Sequence, residues 1–136
     1  MSWLEQAFWN SWSEETAMGW SEENPGWGHS EVTAMIVQDY MGGKLKQGHV
    51  VADGVILDIH CWNDTQYGEV DFTAAPIDIQ YGAGIWYLKK VKTIDREDLL
   101  KHTAIEKKYE ILSTRVSGYL TWKSQHEGRT EYLWKS

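Results

Sequence analysis

Two periods of hydrophobicity run along this chain, and an element ends wherever one gives way to the other. In residues 2–20, SWLEQAFWNSWSEETAMGW, the positions Trp3, Ala7 or Phe8, Trp12, Thr16 and Trp20 recur at helical spacing. Ser2 and Ser13 stand where N-caps belong, so the pattern predicts two short helices, or one broken near Ser11. Residues 21–29 are turn chemistry. Asn24 precedes Pro25 and is steered away from helical backbone, while Gly26 and Gly28 admit conformations that other residues resist. Helix resumes at Ser30: Val32, Met35, Ile36 and Tyr40 form one stripe, Gln38 and Asp39 fall off it, and Gly42-Gly43 ends the segment.

Beyond Gly43 the period shortens to two. Residues 44–51 are expected as a strand followed by a tight turn. The stretch 54–62, GVILDIHCW, is the clearest strand, with Val55, Leu57, Ile59 and Cys61 on one face and Ile56, Asp58, His60 and Trp62 on the other. NDTQYG at 63–68 reads as a loop and EVDFT at 69–73 as the returning strand of a hairpin. A turn centred on Thr65 and Gln66 would set His60 opposite Asp71, and a slip of one residue would carry Asp71 to the other face. Residues 74–94, with Pro76, Gly82 and Gly84, are expected to be mostly irregular, with a short strand or turn around GIWYL. Helical propensity returns over 95–116, with a break near His102 and Thr103 dividing it in two, and the aromatic tail 117–136 is expected as a terminal hairpin. These elements compose an α+β fold, N-terminal helices packed on a small antiparallel sheet. Residues 1–116 make the domain and 117–136 an extension of it.

Composition narrows the partners. A chain of 136 residues, 42% of them hydrophobic, suits one core. A net charge of -7 argues against a nucleic-acid polymer or an anionic membrane surface, since both demand clustered cations; the lysines at 89, 90, 92, 107 and 108 read as solvated faces. No run approaches the roughly 18 apolar residues of a membrane span, and the N-terminus lacks the basic-then-apolar order of a secretory leader, so a soluble, cytoplasmic protein is expected. The single Cys61 excludes an internal disulfide and a multi-cysteine metal knuckle, and neither a cofactor nor a metal is expected. Nine tryptophans and seven tyrosines are expected mostly in the core, with a few left to stack on a flat ligand.

The candidate chemistry lies in three short stretches: Gly28-His29-Ser30-Glu31 at a helix start, His60 with Trp62 and Asn63 at a strand end, and Asp71 on the next strand. Together they have the layout of a nucleophile, a base and an orienting acid. Each also has a plainer reading: Ser30 as a helix N-cap, His29 as a loop residue, Asn63 and Asp71 as turn formers.

With NP at 24–25, GHS at 28–30, VTA at 32–34, VQDYMGG at 37–43, HCWN at 60–63, EVDFT at 69–73 and KYEILSTRV at 108–116, the chain resembles the small bacterial proteins of the YunG family over about residues 9–116. The resemblance implies a reduced papain-like fold, with a cysteine at a helix N-terminus facing a histidine and an acid or amide on adjacent strands. This chain departs from the pattern where it matters: His29-Ser30 stands in place of Gln-Cys. A thiol near pKa 8.5 becomes a thiolate beside a helix N-terminus and an imidazolium, whereas a serine alkoxide is far costlier.

The expected function is therefore a catalytically degenerate papain-like domain. It would bind a small, anionic or nucleotide-like molecule between helix 30–41 and hairpin 54–73, using Trp27, His29, Ser30, His60, Trp62, Asn63 and Asp71, and could sequester a signal. The alternatives are a hydrolase or acyltransferase with Ser30, His60 and Asp71 as its triad, and a protein-interaction module that forms homo-oligomers through the aromatic tail.

Overall fold

A computed structural model describes residues 2–128. The described residues form an α+β fold, a four-stranded antiparallel sheet with five helices. Helix α1 (Trp3–Trp9) starts at Ser2, whose hydroxyl accepts from Glu5 N at 3.0 Å, an ordinary N-cap. The second helix expected before residue 20 does not form; residues 11–20 are successive turns. The cause is local: Thr16 Oγ1 both accepts from Ser13 N and donates to Ser13 O, each at 3.0 Å, side-chain bonding that competes with a helix ladder. Trp12 is nonetheless buried and donates its indole N–H to Thr33 Oγ1 at 3.0 Å.

Helix α2 (Ser30–Met41) ends at Gly42, and its residues Val32 to Val37 are all buried. It lies between the sheet and α5 (Thr103–Glu127), on which α1 also packs. The sheet runs β3-β2-β1-β4, with β1 Lys44–Ala52, β2 Val55–Thr65, β3 Gly68–Val70 and β4 Tyr87–Ile94. Asp53 and Gly54, with φ of 50° and 74°, make the two-residue turn from β1 to β2, the primed geometry that suits the twist of a hairpin.

Three expectations about the strands need correction. Strand β2 continues to Thr65, so the turn to β3 falls at Gln66-Tyr67 and the ladder pairs Asn63 with Val70 and Thr65 with Gly68. The returning strand stops at Val70, and 74–81 form helix α3 (Ala74–Tyr81) instead of irregular chain. The alternation along β2 also fails to predict burial: Val55, Ile56 and Ile59 are exposed, while His60 to Asn63 are all buried. Helix α2 and the 71–77 segment cover only the second half of β2, where both faces are enclosed.

Edge strand β4 pairs with β1; the short strand or turn expected around GIWYL meets only its start at Tyr87 and Leu88, because the exposed lysines that follow break the alternation. Helix α4 (Arg96–Leu100) and α5 are separated at Lys101-His102, as expected. Helix α5, however, runs unbroken through residues 117–127, so that part of the tail is not a hairpin arm or a separate extension. Val116 and Leu120 join Phe8, Met35, Ile36, Leu45 and Leu112 in the core, which places the start of the tail inside the domain. The rest of the expected hairpin, 129–136, lies outside the described residues. Among the described residues no helix is long and apolar enough to cross a membrane.

Candidate functional site

His60 is the centre of the site. The second half of β2 buries it at 3% exposure, and its Nε2 lies 2.7 Å from Asp71 Oδ2. A carboxylate only accepts, so Nε2 is the protonated nitrogen and Nδ1 is left as the ring's basic atom. The expected pairing of His60 with Asp71 is reached by another register. The turn sits one residue further along the chain than expected, Asp71 lies beyond the end of β3, and its side chain leans back to the imidazole. The parity of the strand is unchanged by this shift, which is why the contact survives it. Asp71 also holds its turn role, since Oδ1 accepts from Thr73 N at 3.2 Å and from Thr73 Oγ1 at 3.3 Å. Trp62 stacks on the imidazole with centroids 5.7 Å apart and 15° between planes, and donates to Glu69 at 3.4 Å.

Ser30 is not the N-cap. It is the first residue of α2; His29 occupies the cap position and makes no side-chain cap bond. The Ser30 hydroxyl accepts from Cys61 N at 3.2 Å, satisfying a strand N–H on the side of β2 that β3 is too short to cover. That bond anchors the start of α2 against β2 and brings Ser30 to the same cleft as His60.

The cleft opens to solvent, and its sheltered space is about 20 Å³, room for little more than a water molecule. Ser30 and His60 line it, Trp27, Pro76 and Ile77 give it apolar walls, and Asp58 and Thr73 add polar groups. It is far smaller than the roughly 300–1,000 Å³ of sites that enclose drug-sized ligands. Of the other expected site residues, Asp71 reaches the cleft only through His60. Trp62 backs the imidazole, and Asn63 is buried with its amide donating to Ala34 O at 2.8 Å, joining β2 to α2.

His29 turns inward. It is fully buried, with Nε2 2.5 Å from Thr16 Oγ1, and burial lowers its pKa from 6.5 to about 4 against the opposing pull of the Trp27 and Gly26 carbonyls. It is a neutral core residue, so neither the expected anion contact nor an oxyanion donor is available from it. Cys61, on the face opposite His60, is sealed in the core, and burial, with Glu31 adding to it, pushes its thiol up to about 12. It is no substitute nucleophile.

Asp58 was not among the candidates, although its place two residues before His60 on the same strand face was visible in the alternation. Pro76 and Ile77 were missed because they belong to the unpredicted α3. Neither lysine nor arginine lines the cleft. The half-buried Glu31 beside Ser30 has its pKa raised, first by burial and then by the charge of Asp58. Among the described residues no group of three or more His, Cys, Asp or Glu is arranged to hold a metal ion.

The family described as YunG protein matches residues 1–121. The Uncharacterized protein YunG of Bacillus subtilis (strain 168) is 33% identical over 75 residues, a stretch that covers 52% of this chain and 61% of that protein. No solved structure matches the chain. The family match spans all of the elements that build the cleft, from the turn before α2 to the helix that packs behind it, and this chain belongs to the YunG family.

Proposed function

We propose that this chain is a catalytically degenerate domain of reduced papain-like architecture that holds a small polar molecule between the start of α2, the middle of β2 and α3. The observation that carries this reading is that Ser30 and His60 border one cleft while the groups that would make a fast nucleophile there are missing. Ser30 offers a hydroxyl where the fold's chemistry calls for a thiolate, Cys61 is buried on the other face of the strand, and His29 is a core residue. What persists is recognition: a hydroxyl, an imidazole fixed by Asp71 and the Trp27 ring beside apolar walls. A space of this size takes one small polar group and leaves the rest of a nucleotide-like signal in solvent. Native mass spectrometry of protein incubated with a cell metabolite extract is expected to show a bound small molecule that is lost in His60→Ala. Unchanged spectra for both proteins would overturn the proposal.

One observation favours a second reading, acyl transfer or hydrolysis by Ser30: the 2.7 Å bond between His60 and Asp71 is the geometry of a base held in one tautomer. A fluorophosphonate adduct on Ser30 that disappears in His60→Ala would establish it, and an unmodified Ser30 in the wild-type protein would dismiss it.

A further inference from the structure

We infer that the cleft selects an organic cation, an alkylammonium or quaternary ammonium group received by the Asp58 carboxylate beside the Trp27 and Tyr81 rings. The inference rests on the cleft being the ligand site proposed above and names the class of ligand.

Asp58 and Trp27 line the cleft together. The Trp27 ring meets Tyr81 edge-on, with centroids 5.3 Å apart and planes at 82°, and the Tyr81 hydroxyl donates to Leu57 O, next to Asp58, at 3.4 Å. Trp27 and Asp58 bring an indole and a full negative charge to one cleft, with Tyr81 packed behind the indole. The pKa of the Tyr81 hydroxyl is raised by burial and then by the charge of Asp58, as expected of a phenol near that carboxylate. Asp58 Oδ1 accepts from Ile59 N at 2.7 Å, which orients the carboxylate. Among the described residues Asp58 has no ion-pair partner, and neither lysine nor arginine lines the cleft to neutralise it. An exposed ion pair alone gives little affinity. The Trp27 ring and the apolar Pro76 and Ile77 add contacts for the ammonium and its alkyl chain.

Titration of the whole chain with n-butylammonium, tetramethylammonium and n-butyrate at constant ionic strength, followed on the Trp27 indole N–H resonance, tests this. Both cations are expected to shift that resonance, butyrate to leave it in place, and Asp58→Asn to weaken the cations about tenfold. The melting temperature should be retained, because this side chain is exposed and its replacement nearly isosteric. Cation binding that is equal in the wild type and Asp58→Asn, or butyrate binding in place of the cations, would overturn the inference and leave the cleft as a site of another specificity. No response of Trp27 to any probe would overturn the inference, while the metabolite experiment above decides the cleft reading separately.

Discussion

His29 sits at 0% exposure against Thr16 and with its ring 5.7 Å from Trp12, whereas His60 lines the cleft and bonds Asp71. The difference has a consequence for stability. Unfolded, His29 titrates near 6.5, and folded near about 4, so between those values the unfolded chain binds more protons. The stability tied to the neutral imidazole is complete above pH 6.5, falls as the pH drops and levels off below about 4; the loss is about 3 kcal/mol. Glu31 works in the opposite sense, because its raised pKa lets the folded chain take up a proton sooner on acidification. Urea unfolding of the wild type and His29→Gln across this range separates the two: the wild-type advantage should shrink by about 3 kcal/mol toward acid pH, and a constant difference would contradict the buried neutral histidine.

At the level of elements, the junction between α2 and β1 depends on how closely two backbones approach. Gly43 has φ 82°, and a Cβ there would lie 2.3 Å from Asp64 O and 2.8 Å from Thr65 Cα, at the end of β2. Gly54, in the β1–β2 turn, has φ 74° with nothing within 4 Å of an added Cβ. Gly54→Ala should therefore cost about 1 kcal/mol, the backbone penalty alone. Gly43→Ala should cost about 3 kcal/mol, because steric overlap with a strand backbone is added to it. Equal shifts in the urea midpoint would show that the close approach carries no energy. Both glycines stand out in the sequence as punctuation. Which of them faces another strand depends on a contact some twenty positions further along and has no local signal.

Across the molecule, Arg96 ties the sheet's edge to the helical layer. Following β4, it donates from Nη1 to Met35 O at 2.9 Å and Gln38 Oε1 at 3.2 Å, pairs through Nη2 with Asp39 at 3.0 Å, and lies 4.9 Å from the Tyr109 ring centroid. Tyr109 completes the group by donating to Asp39 Oδ2. Arg96 and Asp39 are 26% and 19% exposed, so the pair is only partly screened. Arg96→Ala is expected to cost about 2 kcal/mol in chemical denaturation, since it leaves Asp39 half-buried with one remaining partner. A change under about 0.5 kcal/mol would place this tie among ordinary surface pairs. No sequence pattern announces it: its members are drawn from α2, α4 and α5, and each reads alone as a solvated or amphipathic position.

Local features were legible because they depend only on near neighbours and residue type. Helix α2 with its glycine stop, the opposite facing of His60 and Cys61, the α4–α5 break and the acidic balance all follow from spacing and identity. Covering is another matter. That His29 turns into the core, that residues 117–127 continue α5, that α3 walls a cleft and that Asp58 stands in it beside Ser30 and His60 depend on which surfaces distant segments bury. A periodic pattern states which face of an element prefers company; the identity of that company is a long-range contact, and it emerges only when the whole chain has packed.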